Sequence, residues 1–252
     1  MRVTVIGSGD AFGSGGRAQT CLLLEAEGRR LLVDCGATSL MALHRAGIPP
    51  ESIDAIVVTH LHGDHYGGVP WMLLRAFHAG HGPGGLLVAG PLGVEAHVLG
   101  TLDLLFPGAR TSVEGAMSTR GLARFVEYAP GVALAVGAAT VGALEVRHSA
   151  AIACHGVRVT MGGRKVAYSG DTEWTPALGD LAEGADLLVL DCQTWDEPKP
   201  GHLTWQTIRD HLPDLRAARI LLTHMSDGML ARAGEIDEQT VRCAHDGLVI
   251  EV

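Results

Sequence analysis

The chain has 252 residues, of which 47% are hydrophobic, so it is long enough to bury the core of one large layered domain. Its formal net charge of −9, together with the absence of any basic run or stripe, argues against a long nucleic acid as a partner. Five cysteines without a C-x-x-C pair argue against a disulfide framework and a zinc ribbon, and they fit a reducing cytoplasm.

The start of the chain and its apolar runs predict a cytoplasmic protein without a membrane anchor. The first residues read as a strand that enters a turn, and not as a secretory signal. No apolar run reaches the roughly 18 residues that a span of the bilayer requires.

Strand signals dominate the first third of the chain. Short apolar or β-branched runs bounded by Gly, Asp or Pro predict strands at residues 3–6, 21–25, 31–34 and 55–59. Helical spacing predicts a helix at 38–46 that ends at Gly47, and Pro70 suits the first residue of a helix that runs to residue 78. The glycine-rich stretch 80–85 is predicted to be a loop.

The rest of the chain mixes strands and helices without a strict βαβ rhythm. We predict helices at 92–106 and at about 205–211. Strands are predicted at residues 86–89, 124–128, 132–136, 143–148, 157–161, 166–169, 187–191 and 220–223. This mixture predicts two sheets packed together with helices outside. Because no linker, low-complexity tract or charge run divides the chain, we predict a single domain over residues 1–252.

The strongest chemical signal is THLHGDH at residues 59–65, which places three imidazoles and one carboxylate where a buried strand ends. Such nitrogen and oxygen donors suit zinc and similar metals. In an extended backbone alternate side chains point the same way, so His60 and His62 can bind one ion together. Asp64 and His65 follow the turn that Gly63 permits and can face a second ion. The alternative is a surface loop that is rich in histidine by chance.

This H-x-H-x-D-H motif resembles that of the metallo-β-lactamase superfamily, whose α+β fold is an αββα four-layer sandwich. Three later segments match the superfamily in order and spacing: EVRHS at 145–149, YSGDT at 168–172 and LTHMS at 222–226. The resemblance implies two divalent metal ions as cofactors, Zn²⁺ first, with Mn²⁺ or Fe²⁺ also suited to such ligands. The implied ligands are His60, His62 and His148 for one ion, Asp64, His65 and His224 for the other, and Asp171 as the bridge.

Two of these assignments have alternatives. His155 competes with His148 for the third position of the first group; we favour His148, which ends a predicted strand, whereas His155 begins the next strand and either faces solvent or lines the pocket. Asp171, taken alone, could instead form an Asx turn after Gly170. The remaining histidines match no motif and are expected to bind no metal: His44, His78, His81, His97, His211 and His245.

Two further segments resemble the ribonuclease Z-like and small phosphodiesterase branches of the superfamily. The first is the glycine-rich stretch 7–17, followed by QTC at 19–21, which either lets the backbone approach a phosphate or forms a plain hairpin loop. The second is GHLT at 201–204. In that branch the segment helps to handle the leaving group, so His202 is either a general acid or a surface loop residue. Thr204 is expected to be the N-cap of the next helix.

The stretch between His148 and Asp171 departs from the transfer-RNA processing relatives, because it has no room for their long RNA-clamping arm. We therefore predict a metal-dependent hydrolase that acts on a small molecule, a cyclic or other low-molecular-weight phosphodiester, and that has no membrane partner. In the implied mechanism two ions activate a shared water. Asp171 sets the separation of the ions, Asp64 orients the nucleophile and His202 protonates the departing alkoxide.

Other activities use the same ligand set. Hydrolysis of a β-lactam, or of a lactone, thioester or other carboxylic ester, would need an oxyanion donor, either Tyr168 or a backbone amide. A mononuclear iron redox enzyme shares part of the ligands, but the presence of both His65 and Asp171 favours two ions. A binding module without catalysis is disfavoured because every ligand position is filled. The apolar segment 69–74 is either a homodimer interface or a core helix.

Overall fold

The structure, a computed structural model, describes residues 1–82 and 84–252, so the predicted loop at 80–85 is described except for Pro83, which lies outside the described residues. Over the described residues the strands are β1 (Arg2–Gly7), β2 (Cys21–Ala26), β3 (Arg29–Val33), β4 (Ala55–Val57), β5 (Leu86–Gly90), β6 (Ala123–Glu127), β7 (Leu134–Val136), β8 (Ala139–Glu145), β9 (His155–Met161), β10 (Arg164–Tyr168), β11 (Leu187–Asp191), β12 (Ile220–Thr223), β13 (Val241–Cys243) and β14 (Val249–Glu251).

The α-helices are α1 (Ser39–Arg45), α2 (Gly63–Tyr66), α3 (Val69–Ala79), α4 (Val94–Leu105), α5 (Ala109–Arg120), α6 (Ala177–Ala182), α7 (Trp205–Asp210) and α8 (Asp227–Arg232). Short 3₁₀ turns lie at Ser14–Gly16, Pro50–Ser52, Leu212–Asp214 and Ala233–Glu235. Within the described part of the chain, no helix combines the length and the apolar character that a bilayer span needs.

The strands form two seven-stranded sheets, which we call the first sheet (β14-β1-β2-β3-β4-β5-β6) and the second sheet (β13-β12-β11-β10-β9-β8-β7). The order is symmetrical. Each sheet is antiparallel on one side, and parallel among β3 to β6 in the first sheet and β10 to β13 in the second. Because the carboxyl ends of parallel strands meet at the same edge of a sheet, residues that follow β3, β4, β10, β11 and β12 are available to a shared site.

Alternation along the strands builds four layers. On β4, Ala55 and Val57 face the core between the two sheets, whereas Ile56 faces the helices that cover the first sheet. On β11, Val189 faces the same central core and Leu190 packs under the helices of the second sheet. Period-two alternation with both faces buried is the pattern of a sheet covered on both sides. The structure thus confirms the predicted αββα sandwich.

The predicted strands and the helices at 38–46, 70–78 and 205–211 are confirmed within a few residues, but several elements were missed. The predicted helix 92–106 begins only at Val94, because Gly93 has a positive φ of 85°. Helix α5 went unpredicted, since Val113 and Ala116 are its buried positions and its other residues are mostly polar. Helices α6 and α8, of six residues each, and strands β13 and β14, of three residues each, also went unpredicted.

The segment 69–74 belongs to a core helix. Val69, Met72 and Leu73 of α3 are buried in the cluster that covers the first sheet. Trp71 is 38% exposed and contacts the Phe106 ring edge-on, with the two centroids 4.8 Å apart. The helix is therefore accounted for by packing within the chain.

Candidate metal centre

Three histidines converge beyond the end of β4. His62 Nδ1 lies 3.2 Å from His60 Nε2 and 3.0 Å from His148 Nε2. Burial of the rings lowers the pKa of both His60 and His62, which keeps them neutral near pH 7. Three imidazoles that aim ring nitrogens at one point form a typical ligand set for a divalent metal ion. We call His60, His62 and His148 the three-histidine group.

A second group of potential ligands lies beside the first and consists of Asp64, His65, Asp171 and His224. Asp64 Oδ2 is 3.3 Å from His65 Nε2 and 3.2 Å from His224 Nε2. Although burial opposes ionisation, the hydrogen bond from His224 lowers the pKa of Asp64, and the charges of His224 and His65 lower the pKa of Asp171. Both carboxylates are therefore ionised and can bind a cation.

Asp171 lies between the two groups. Its Oδ2 atom is 3.2 Å from His65 Nε2 and 3.4 Å from His224 Nε2, in the second group. The same oxygen is 4.0 Å from His60 Nε2 and 3.9 Å from His148 Nε2, in the three-histidine group. One carboxylate thus faces both potential ligand sets.

The protein's own hydrogen bonds leave this cluster unsatisfied. Among the described residues, buried atoms that have no hydrogen-bond partner include His65 Nε2, Asp171 Oδ1 and His224 Nδ1. His65 Nε2 is close to two carboxylates, but the alignment is not that of a hydrogen bond. Buried polar atoms rarely stay unpaired. Nitrogen and carboxylate donors at this spacing suit a divalent metal ion, so the residues fit the cofactor that the sequence predicts.

The local backbone explains how one short segment reaches both groups. His62 is extended, with φ of −86° and ψ of 147°, and Gly63 then starts the short helix α2, which carries Asp64 and His65. The predicted reason for this change of direction was wrong: Gly63 is not among the glycines with positive φ, so the change comes from the helical turn and not from a conformation reserved for glycine. By contrast, His224 has a φ of 61°, a left-handed conformation that is uncommon outside glycine and that occurs at functional sites.

Asp34, which the sequence analysis did not single out, lies directly behind His65. Its Oδ2 atom is 2.6 Å from His65 Nδ1. Thr59 donates two more hydrogen bonds to the carboxylate, from its amide at 2.7 Å and from its hydroxyl at 2.9 Å. A carboxylate behind a metal-binding histidine fixes the tautomer and directs the other nitrogen toward the metal. Its place as the last residue of the predicted strand 31–34, a polar residue that ends an apolar run, was the signal that would have identified it.

Asp191 plays a comparable part in the second half of the chain. His202 Nδ1 is 3.0 Å from Asp191 Oδ2, and His224 Nδ1 is 3.7 Å from Asp191 Oδ1. The ring of His202 stacks on that of His224, with centroids 5.3 Å apart. The structure therefore places His202 beside the potential ligands and not on a remote surface loop. Thr204 caps α7 as predicted, because its side chain accepts a hydrogen bond from the Thr207 amide at 3.0 Å.

The structure excludes His155 as a metal ligand and Tyr168 as an oxyanion donor. His155 does not join the three-histidine group; it is 3% exposed, packs edge-on against Tyr128 and has its Nδ1 atom 3.4 Å from the carbonyl oxygen of Thr59. Tyr168 is 1% exposed and lies in the core between the two sheets, so the suggestion that it serves as an oxyanion donor is wrong.

The glycine-rich stretch 7–17 is the connection of the β1–β2 hairpin, and several of its amides are already engaged. Asp10 accepts hydrogen bonds from the amides of Phe12 and Ser14. The amide of Gly15 bonds to Asp227, and that of Ser8 bonds to Asp246. Because carboxylates occupy these donors, the loop matches the plain hairpin reading and not a preformed phosphate cradle.

One protein family and three known proteins resemble the chain over most of its length. A family model described as "Anti-Pycsar protein Apyc1" matches residues 1–246. The Anti-Pycsar protein Apyc1 of Bacillus phage BSP38 is 30% identical, over 90% of this chain and 90% of that protein. Ribonuclease Z of Methanothermobacter thermautotrophicus is also 30% identical, over 90% of this chain and 87% of that protein.

The third relative is the probable metallo-hydrolase YhfI of Bacillus subtilis, which is 26% identical over 100% of both chains. Its crystal structure, described as that of a metallo-β-lactamase fold protein, superposes with a TM-score of 0.78 at 24% identity and covers 99% of each chain. This likeness shows that the two chains share the metallo-β-lactamase fold over their whole length.

Proposed function

Since the chain belongs to the Anti-Pycsar protein Apyc1 family, within the ribonuclease Z-like branch of the metallo-β-lactamase superfamily, we propose that it hydrolyses a small phosphodiester at a centre of two divalent metal ions. That it is a metal-dependent hydrolase follows from these relatives and from the clustered histidine and aspartate ligands. The number of ions and the class of substrate are the proposal.

The position of Asp171 carries the proposal of two ions. Its Oδ2 atom is within 4.0 Å of histidine nitrogens from both ligand groups, so a single carboxylate can contact an ion in each. Bound there, two divalent ions would lower the pKa of a water, polarise the phosphoryl oxygen and neutralise the leaving oxygen. The protein's contribution is to hold the seven ligand side chains, whose ligand atoms fall into two adjacent clusters.

Two residues are assigned further roles in the reaction. Asp64 is the ligand whose carboxylate can also accept a hydrogen bond from the attacking water and so orient it. His202 is assigned as the general acid: Asp191 holds its Nδ1, which leaves Nε2 to carry a proton to the leaving oxygen. Although burial opposes protonation, the hydrogen bond to Asp191 raises the pKa of His202, which favours the proton-carrying form near neutral pH.

A small phosphorus ester fits this chain better than RNA or a carbonyl substrate. Ribonuclease Z, a relative at 30% identity, is by name a nuclease, which supports a phosphodiester. Between His148 and Asp171, however, the chain forms only the hairpin of β9 and β10, with no arm to clamp a long RNA, and the net charge is −9. The carbonyl alternative loses the side-chain oxyanion donor suggested for it, because Tyr168 is buried between the sheets.

Hydrolysis of bis(p-nitrophenyl) phosphate by protein reconstituted with Zn²⁺ or Mn²⁺ tests the proposal. Turnover should vanish in Asp64→Ala and persist in Asp237→Ala, a matched change at an exposed aspartate. Active protein should contain two ions per chain by elemental analysis, and Asp171→Asn should contain fewer. Small cyclic phosphodiesters then form the substrate panel.

Three results would contradict the proposal in different ways. Undiminished turnover in Asp64→Ala would remove the assigned site. Turnover of lactones or thioesters, and of no phosphodiester with either metal, would replace the substrate class. A single coloured iron ion per chain in active protein would replace the dinuclear hydrolase with the redox alternative.

A further inference from the structure

The histidine that completes the three-histidine group lies outside regular structure. Strand β8 ends at Glu145, three residues before His148. This corrects the prediction that His148 ends its strand, and it means that the sheet does not fix the ring. The segment is held instead by the residues that follow Asp171: the amide of Arg147 bonds to the Thr172 hydroxyl at 3.1 Å, and the Glu173 amide bonds to the Arg147 carbonyl at 2.7 Å.

The ring of His148 is held by the backbone of Gly201. Its Nδ1 atom is 2.8 Å from the Gly201 carbonyl oxygen, so Nδ1 carries the proton and Nε2 is free to face His62. Gly201 has a φ of 82°, and a Cβ atom there would lie 2.6 Å from His148 Nδ1. Only glycine fits such a close approach in this conformation.

Gly201 in turn is held by Glu173. The Gly201 amide donates a hydrogen bond of 2.8 Å to Glu173 Oε1, so one buried glycine accepts from a ligand side chain and donates to a carboxylate. The next residue is His202, whose ring centroid is 4.9 Å from that of His148. A shift of Gly201 would therefore move a metal ligand and the proposed acid together.

We propose that Glu173 is a positioning residue that, through Gly201, fixes the orientation of His148 and the placement of His202. The inference rests on the proposed function, because it assigns a task to residues of that same centre. Glu173 touches neither substrate nor metal in this role. Its hydrogen bond sets where the loop that contains residues 201 and 202 sits, and a hydrogen-bond acceptor of the same length should serve as well as the carboxylate.

Zinc affinity, measured by competition with a chromophoric chelator, tests the inference without any substrate. Glu173→Ala should weaken zinc binding about 10-fold, the lower end of the cost of losing a partner behind a ligand, because the Gly201 carbonyl is displaced and not removed. Glu173→Gln, whose amide oxygen can still accept from the Gly201 amide, should stay within about 3-fold of the unaltered protein. Glu238→Ala, at an exposed glutamate, is the matched control.

A second measurement reports on His202. Loss of a general acid slows departure of a poor leaving group more than departure of p-nitrophenolate. At saturating zinc, Glu173→Ala should therefore lower kcat for diphenyl phosphate more than for bis(p-nitrophenyl) phosphate, a selectivity that general destabilisation would not produce.

Two outcomes would overturn the inference. The first is unchanged zinc affinity in Glu173→Ala. The second is equal weakening in Glu173→Gln and Glu173→Ala, which would make charge and not the hydrogen bond responsible. If Glu173→Ala does not fold, Glu173→Asp replaces it: its side chain is one methylene shorter, so we expect it to lose the bond to the Gly201 amide, and native affinity there would overturn the inference as well. Because zinc affinity involves no substrate, an error in the substrate class would leave this test intact.

Discussion

Two buried aspartates lie behind the metal centre, one from each half of the chain, and they hold their histidines differently. Asp34 uses both oxygens: it accepts two bonds from Thr59 and contacts His65 Nδ1 at 2.6 Å. Asp191 accepts through Oδ2 alone: the amides of Thr172 and Leu203 donate to it at 3.2 Å and 3.4 Å, and His202 Nδ1 lies 3.0 Å away. Among the described residues its Oδ1 has no hydrogen-bond partner and lies 3.7 Å from His224 Nδ1.

We call Asp34 and His65 the fixed side of the centre, and Asp191 and His202 its adjustable side. His65 is 0% exposed, and the Asp34 carboxylate behind it contacts the Thr59 amide, the Thr59 hydroxyl and the His65 ring. The orientation of His65 is therefore set before any metal binds. His202 is partly exposed and shares Asp191 with His224. Asp191 Oδ1 is buried without a hydrogen-bond partner among the described residues, so a small movement or a bound species has to supply one. A ligand benefits from the first arrangement, and a group that must exchange a proton with substrate benefits from the second.

Metal removal should have the largest effect on Tm, because the buried ligand atoms on both sides of the centre would lose the ions that pair with them. Each of the two proposed ions is expected to contribute about 4 kcal/mol when free metal is about 1,000 times its Kd. For a chain of this size that corresponds to about 2–4 °C of Tm per kcal/mol, so chelation should lower Tm by roughly 15 °C or more. Differential scanning calorimetry with and without chelator measures it; an unchanged Tm would contradict a metal-filled centre.

The cost of metal removal should also grow with pH. In the metal-free protein burial opposes the charged form of His224, but Asp171 and Asp64 raise its pKa to about 9. A raised histidine pKa stabilises the fold fully below the unfolded value of about 6.5, and this stability is lost as pH rises through 9. The lowered pKa of His60 has no influence in this window, because its contribution changes only below pH 6.5. The difference in Tm between loaded and chelated protein should therefore widen from pH 6.5 to 9; a constant difference would contradict it.

Asp34→Ala should be the most damaging single substitution on the fixed side. It leaves the amide and hydroxyl of Thr59 and the His65 ring without their buried partner, which costs about 3–5 kcal/mol for a broken buried pair. The loss should persist in chelated protein, because the fixed side does not depend on metal. Urea unfolding in both states measures this, and a loss confined to the loaded protein would show that Asp34 acts only through the ion.

Asp191→Ala should lower turnover more than it lowers stability. The substitution leaves the amides of Thr172 and Leu203 without their acceptor, but these bonds are long, at 3.2 Å and 3.4 Å, and His202 is partly exposed, so the expected destabilisation is about 1–3 kcal/mol. Turnover should fall about 10- to 100-fold at saturating metal, since His202 loses the group that orients it. Destabilisation equal to that of Asp34→Ala, with normal kcat, would remove the distinction between the two sides.

The sequence predicted the sandwich and its strands because buried strands carry their signal locally, as period-two or continuous apolar runs. It also pointed to the residues of the centre, since His60, His62, Asp64 and His65 occupy one short segment and His224 directly follows a readable strand. The structure brings every residue predicted as a ligand into one of the two clusters.

What the sequence did not reveal depends on contacts between distant segments. Glu173 and Gly201 meet only because two loops fold against each other, and neither residue has a local pattern that indicates its partner. The glycines of 7–17 suggested a phosphate cradle, but Asp227 and Asp246, more than two hundred residues away, occupy amides of that loop. Polar pairing at long range follows from the fold and not from spacing along the chain.

Tyr128→Phe should have the smallest effect, and its size tests whether Asp34 dominates the fixed side. The Tyr128 hydroxyl donates to the carbonyls of Val58 and Thr59, immediately before His60. Thr59 is already held by Asp34 through its amide and hydroxyl, so the loss of one further bond should cost about 1 kcal/mol and change zinc affinity less than about 3-fold. Tyr66→Phe, which removes a bond to the Thr101 hydroxyl, is the matched control. If Tyr128→Phe destabilised the protein as much as Asp34→Ala, the rigidity of the fixed side would come from Tyr128. Asp34 would then only orient His65.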